Sequence, residues 1–178
     1  MELLRAETAE ETDRLLKAGA DPNFKDKNGR TVLMVAKSAE QTELLLKAGV
    51  DPNHQTKLGE TALILAKTAE QIDLLLKTGA DPNHQNKYGE TALMFAEHAE
   101  QAEILLKAGA DICLQDRDGN KAIHHVKNVE MLRLLIEHGA DPEAKNKAGT
   151  TLLDIAREEN LDELVNFLIT EVGVDEDA

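Results

Sequence analysis

The chain has 178 residues and a formal net charge of −14, from 34 acidic and 20 basic side chains. This excess of acid argues against binding to nucleic acid or anionic membranes, which requires lysine and arginine to neutralise phosphates. Aromatic residues make up 2 %, so we expect a core of leucine, isoleucine, valine and alanine. The sequence has a single cysteine, shows no signal peptide with a basic start and an apolar run, and has no apolar stretch near the ~20 residues of a membrane span. We therefore expect a cytoplasmic protein.

Glycines recur every 30 residues along the sequence. The two series are Gly19, Gly49, Gly79, Gly109 and Gly139, and Gly29, Gly59, Gly89, Gly119 and Gly149. A fixed period of this size indicates stacked copies of one supersecondary unit. We predict a single domain over residues 1–178, built from six repeats: 1–27, 28–57, 58–87, 88–117, 118–147 and 148–178.

The pattern within each repeat predicts a short helix, a second helix that ends at a glycine, and a polar loop. In the fourth repeat, Thr91 to Ala96 predicts the short helix and Ala99 to Ala108 the second one. Gly109 supplies the left-handed residue that ends a helix. The polar, turn-rich stretch from Asp111 to Gly119 then predicts a hairpin-like loop.

The second helices begin with a capping signature. It reads Ser38-Ala39-Glu40-Gln41 and Thr68-Ala69-Glu70-Gln71, and Thr8 opens a similar stretch. In a capping box the hydroxyl accepts from a free backbone N–H, and the glutamine side chain reaches back to the cap residue. We therefore predict that Gln41 and Gln71 bond to Ser38 and Thr68.

These motifs resemble ankyrin repeats. The T-P-L-H-x-A signature appears as Thr61 to Ala66, Thr91 to Ala96 and Thr151 to Ala156, and the L-L-x-x-G-A-D-x-N element as Leu45 to Asn53. The interior repeats are shorter than the family's usual 33 residues, and most proline and histidine positions of the signature are replaced. The resemblance implies an all-α solenoid of stacked helix-turn-helix units with hairpin-like loops.

The resemblance also implies a non-catalytic module that binds, sequesters or inhibits another protein. Small bacterial members include immunity proteins that neutralise a toxin and effectors aimed at host proteins. No residue in this chain selects between these roles. We expect the free protein to be a monomer.

The two ends of the array carry charge at positions that are apolar elsewhere. Arg5 stands where Val35 stands one repeat later, and Arg14 stands in the position of Leu44. Because end repeats need a polar outer face, we predict that these arginines cover the first repeat. At the other end, residues 151–178 carry nine acidic side chains and one basic one.

The sequence offers few candidates for catalytic or metal-binding residues. Cys113 lies between Ile112 and Leu114, and we interpret it as a small buried hydrophobe. His54 and His84 share a repeat position, but a metal site needs more convergent ligands, so we expect no metal and no cofactor. One alternative to a binding module is an enzyme or small-molecule binder with a pocket around His124, His125 and Glu97. Another is a purely structural subunit, which self-association would reveal.

The residue before the second glycine varies, as expected of a surface that recognises a partner. It is Asn28, Leu58, Tyr88, Asp118 or Ala148. Tyr88 and Leu58 predict an apolar centre with a charged rim. Alternatively, Tyr88 only covers its neighbouring hairpin. The acidic last repeat is a second candidate site for the partner. The predicted partner-binding residues are Lys57, Leu58, Glu60, Lys87, Tyr88, Glu90, Met94, Phe95, Arg117, Asp118, Asn120, Lys121 and His125.

Overall fold

The computed structural model describes residues 2–175, and across this range the fold is all-α, with eight α-helices and no β-strand. The α-helices are α1 (Ala9–Lys17), α2 (Ala39–Lys47), α3 (Ala62–Leu65), α4 (Ala69–Lys77), α5 (Ala99–Lys107), α6 (Val129–Glu137), α7 (Leu152–Glu158) and α8 (Asp162–Phe167). Single 3₁₀ turns take the place of the short helix at Leu3–Arg5, Leu33–Val35, Ala92–Phe95 and Ala122–His125. The predicted order of short helix, second helix and loop is confirmed. In residues 2–175, no helix combines the length and apolarity needed to cross a bilayer.

The chain forms two compact units, residues 1–87 and 88–178. In the first unit α1 packs on α2, and α2 packs on α4, around the buried side chains of Leu45 and Leu75. In the second unit α6 packs on α5 and α8, and the turn Ala92–Phe95 packs on the turn Ala122–His125. Leucine and alanine are the commonest buried apolar residues in both cores, which agrees with the composition. The division into six repeats stays a prediction.

The second helices start and stop where local sequence predicts. Ser38 Oγ accepts from the backbone N–H of Gln41 at 3.2 Å, which satisfies one of the free N–H groups at the start of α2. At the other end Gly49 has φ +85° and accommodates the left-handed residue that follows the helix. Local chemistry alone therefore fixes both ends of this helix.

The glutamine three residues after the cap behaves differently in α2 and α4. Gln71 Oε1 accepts from the N–H of Thr68 at 3.3 Å, which completes the predicted capping box. Gln41 Oε1 accepts instead from the N–H of Lys37 at 2.7 Å, so the predicted bond from Gln41 to Ser38 is wrong. Gln71 Oε1 also accepts from the N–H of Lys67 at 3.1 Å, so both glutamines bond to the lysine before the cap residue, and Gln71 in addition reaches the cap residue itself.

The nitrogen of the same carboxamide links successive repeats of the first unit. Gln71 Nε2 donates to the carbonyl of Ala36 at 3.0 Å and to the hydroxyl of Thr42 at 3.2 Å. Gln41 Nε2 donates to the carbonyl of Ala6 at 3.2 Å and to a threonine hydroxyl. We call these bonds the glutamine ladder. They satisfy buried carbonyl groups that no helix would otherwise pair.

The loop tips of adjacent repeats are joined through their backbones. In the second unit the N–H of Arg117 donates to the carbonyl of Tyr88 at 2.8 Å. Gly89, with φ +81°, lies so close to this neighbour that an added Cβ would come within 2.9 Å of Asp116 Cα. Position 89 therefore requires glycine both for its backbone angle and for the close approach of the next tip.

Candidate functional site

Three large apolar side chains are exposed among residues 2–175, and all three are predicted partner-binding residues. Leu58 is 45 %, Tyr88 47 % and Phe95 48 % exposed. Leu58 belongs to the first unit, and the two aromatic residues belong to the second. The predicted pairing of Leu58 with Tyr88 therefore joins residues of different units and stays a prediction.

The tip around Leu58 has a polar rim in the first unit. Lys57 and Lys87 are exposed, and the N–H of Lys87 donates to the carbonyl of Leu58 at 2.9 Å. Glu60 is half-buried, and its carboxylate accepts from the hydroxyl of Thr56 at 3.0 Å. Glu60 thus stabilises the turn, which leaves the two lysines as the accessible charges of this tip.

Tyr88 is partly covered by the next tip of its own unit. The guanidinium carbon of Arg117 lies 5.9 Å from the centroid of the Tyr88 ring, within the range of a cation–π contact. This contact supports the interpretation that Tyr88 covers a neighbouring hairpin. Because Tyr88 is still about half exposed, the same residue is also available to a partner.

Asp116 organises the tip that carries Arg117. Its buried carboxylate accepts the backbone N–H groups of Asp118 and Asn120, both at 2.8 Å. Asp116 Oδ2 also lies 3.9 Å from Nε2 of His125, a ring of the neighbouring short turn. Sequence reasoning missed Asp116, although its turn position recurs as Asp26, Thr56, Asn86 and Asn146. The carboxylate therefore organises the loop tip and lies near the helical turn, but His125 Nε2 forms no hydrogen bond within residues 2–175.

The remaining predicted residues of the second unit have mixed exposure. Asp118 is exposed, while Glu90, Asn120 and Lys121 are half-buried. The side-chain oxygen of Asn120 accepts from the amide of Asn146 at 2.8 Å, so this residue also supports the neighbouring tip.

A groove of about 460 Å³ lies in the second unit between the turns Ala92–Phe95 and Ala122–His125. It is lined by Met94, Phe95, Ala96, Glu97, His125, Val126, Lys127, Asn128 and Met131. Met94 and Met131 are buried, whereas Phe95 is exposed. Three predicted residues, Met94, Phe95 and His125, therefore share one concave site. Glu97 was predicted as part of the alternative pocket. Sequence reasoning missed the other five lining residues, because no motif marks the end of a short helix as the wall of a groove.

The two adjacent histidines have separate surroundings. His124 is buried, and its Nδ1 accepts from the N–H of Lys121 at 3.1 Å. His125 lines the groove. Burial lowers the pKa of both rings below the ordinary value, and the carboxylate of Asp116 opposes that shift. Of the alternative pocket, the structure brings His125 and Glu97 to one groove and leaves His124 out of its lining.

The structure also tests the assignment of Cys113 and the candidates for a metal-binding cluster. Cys113 is exposed, so the prediction that it is buried is wrong. Its position in the repeat is that of Asn53 and Asn83, which are exposed as well, and its N–H donates to Asp111 at 2.8 Å. Among residues 2–175 no group of three or more histidine, cysteine or acidic side chains could hold a metal ion.

A family model described as ankyrin repeats, in a form with three copies, matches residues 4–66, 37–116 and 97–178. Together the three matches span nearly the whole chain. No curated protein matches the chain.

Proposed function

Because the chain belongs to the ankyrin-repeat family, whose repeats are generally protein–protein interaction modules, we propose that it binds and sequesters or inhibits one protein partner. The family is typically non-catalytic, which agrees with a role in binding. The proposed contact surface lies in the second unit. We call it the Tyr88 surface and define it by Tyr88, Phe95, Arg117, Asp116 and His125.

The observation that carries the proposal is the exposure of two aromatic side chains on that surface. Tyr88 and Phe95 are each about half exposed, in a chain with one tyrosine and three phenylalanines. Exposed aromatic and arginine side chains are enriched among residues that dominate binding energy. Arg117 contacts the Tyr88 ring, which places an arginine next to the aromatic anchor.

The Tyr88 surface is also preorganised. Asp116 fixes the tip through backbone hydrogen bonds and lies beside His125, and His125 and Phe95 line the same groove. A rigid site loses little conformational entropy on binding, so more of the contact energy contributes to affinity. The loop tip and the groove therefore support recognition by one continuous partner surface.

Affinity capture from the native lysate with tagged wild-type and variant proteins tests the proposal. We expect Tyr88→Ala to weaken capture of the partner at least ~10-fold, since truncating an anchor residue costs roughly 2 kcal/mol or more. Leu58→Ala tests in the same way whether the neighbouring tip contributes. The melting temperature should barely move, because an exposed cation–π contact contributes only about 0.5–1 kcal/mol.

Asn28→Ala is the matched control, because Asn28 is the exposed residue at the same tip position of an earlier repeat. It should capture the partner as the wild type does. Unchanged affinity in both Tyr88→Ala and Leu58→Ala, or a loss of stability equal to the loss of affinity, would move the site to the acidic last repeat.

A further inference from the structure

The groove of the second unit lies where the glutamine ladder is interrupted. In α2 and α4 the ladder residues are Gln41 and Gln71, which donate to the carbonyls of Ala6 and Ala36. The same position in α6 is Met131, whose thioether has no N–H to donate.

Ala96 holds the repeat position of Ala6 and Ala36, and it lines the groove together with Met131. A carbonyl that has a side-chain donor in the first unit thus meets a methionine here. The groove can therefore accept a hydrogen bond from an outside donor that replaces the missing carboxamide.

The unpaired charge of the groove is negative. Glu7 forms an ion pair with Lys37, the residue at the same position one repeat later. The corresponding partner of Glu97 would be Lys127, but the ammonium of Lys127 pairs with Glu159 instead. Within residues 88–175 no cation lies within salt-bridge distance of the exposed Glu97 carboxylate. Charge complementarity consequently favours a cationic occupant.

The rest of the lining suits a long side chain with an apolar stem. Met94 and Met131 present adaptable thioether chains, and Phe95 presents a ring that is about half exposed. A cation over the face of such a ring is attracted electrostatically by the ring. The groove, at about 460 Å³, also lies within the roughly 300–1,000 Å³ typical of ligand sites.

We propose that this groove binds an arginine side chain of the protein partner, which donates to the carbonyl of Ala96 and to the carboxylate of Glu97. The proposal rests on the proposed function, since the arginine belongs to the bound protein. Arginine fits better than lysine because its planar guanidinium has five donors, can serve two acceptors at once, and stacks on an aromatic ring. A neutral glutamine would replace the carboxamide but leave Glu97 without a partner.

Titration of the full-length protein with Nα-acetylarginine amide, followed by NMR of the methionine methyl groups, tests this inference. The chain has four methionines, which gives a simple spectrum. We expect saturable shifts of the Met94 and Met131 methyl signals at millimolar ligand. Met34 is the internal control, because it has the repeat position of Met94 but lies in the first unit, and its signal should not move.

The matched ligand is Nα-acetylcitrulline amide, which has the same stem without the charge and should bind at least ~10-fold more weakly. Glu97→Gln should weaken binding of the arginine amide by a similar factor. Met131→Gln should abolish it, because the new carboxamide restores the ladder bond and fills the groove. Glu100→Gln removes an exposed acid of α5 outside the groove lining and should bind like the wild type.

Equal binding of the citrulline and arginine amides, wild-type binding by Glu97→Gln, or no saturable shift of Met94 and Met131 would each overturn the inference. These outcomes are independent of the capture experiment. If the protein captures a partner in a Tyr88-dependent way but does not bind arginine amide, the arginine site alone is overturned. Binding of arginine amide by a protein that captures no partner would overturn the proposed function.

Discussion

One position in the short turn is filled by chemically different side chains that accept the same hydrogen bond. The backbone N–H of the residue three positions earlier donates to this side chain, and the bond stabilises the start of the turn. The pairs are Thr31 with Met34 Sδ at 3.5 Å, Lys121 with His124 Nδ1 at 3.1 Å and Thr151 with Asp154 Oδ2 at 2.8 Å. Because the position requires only an acceptor, a histidine can occupy it, although Nε2 of His124 is then buried without a hydrogen-bond partner in the described part of the chain.

Burial of His124 makes stability depend on pH. Its pKa is lowered in the folded state, chiefly by burial, so below the ordinary value of 6.5 the unfolded chain binds protons that the folded chain rejects. Stability is therefore complete above that pH and is lost as the pH falls from about 7 towards 5, by at most ~1.4 kcal/mol per pH unit for one proton. The pKa of His125 is lowered in the same direction.

We expect His124→Met to fold and to lose less stability than the wild type between pH 7 and pH 5, as measured by chemical denaturation at each pH. Methionine is the residue that Met34 provides at this position, and it does not titrate in this range. Met34→Leu, an apolar change at the equivalent position of the first unit, should keep the wild-type pH dependence. An unchanged slope in His124→Met would show that burial of this ring does not control acid sensitivity.

At the scale of the element, the glutamine ladder has two roles. The same side chain that helps to cap a helix also bonds to the preceding repeat, and this fixes how successive helices stack. Gln71 joins the entrance of α4 to the repeat before it through Ala36 and Thr42. The sequence pattern predicted the local bond of Gln71 because capping involves residues close in sequence. It could not predict the bonds to the preceding repeat, which depend on the distance between stacked helices.

Gln71→Met should lower the free energy of unfolding by about 1–3 kcal/mol, since it leaves the carbonyl of Ala36 and the hydroxyl of Thr42 without their donor. Methionine has similar length and occurs naturally at the ladder position in α6, so the change isolates the hydrogen bonds from the volume. Gln55→Met is the control, because it makes the same change at an exposed loop position of the first unit, and it should change stability by less than ~0.5 kcal/mol. Urea denaturation measures both variants, and equal stability of the two would show that the ladder contributes nothing.

At the scale of the molecule, the fold class was predictable and the groove was not. The periodic glycines and the helix caps act on backbone that is close to them in sequence. A single sequence therefore reveals them, and with them the order of the helices. The groove brings Met131 next to Ala96, and that arrangement is visible only when adjacent repeats are packed together. Cys113 shows a different error: its apolar neighbours suggested burial, whereas its repeat position, shared with the exposed Asn53, indicated the exposure that the structure shows.

The first unit depends on α1 for both polar and apolar cover. The carbonyl of Ala6 and the hydroxyl of Thr12 accept the carboxamide of Gln41, and α1 packs against α2. Arg14 is exposed on α1, as predicted, and lies 3.8 Å from Glu11. Loss of this helix would expose the apolar side of α2 and would leave buried polar groups unpaired.

We therefore expect deletion of residues 1–24 to lower the melting temperature by at least about 5 °C, because each lost kcal/mol corresponds to roughly 2–4 °C in a chain of this size. The exposed side of α2 should also cause self-association that grows with concentration in analytical ultracentrifugation. The control is the full chain with Arg5→Ala and Arg14→Ala, which keeps α1 and changes only exposed side chains, so it should melt close to the wild type. A truncated protein that stays monomeric and melts with the wild type would mean that α1 is dispensable and that the polar cover of the first unit lies elsewhere.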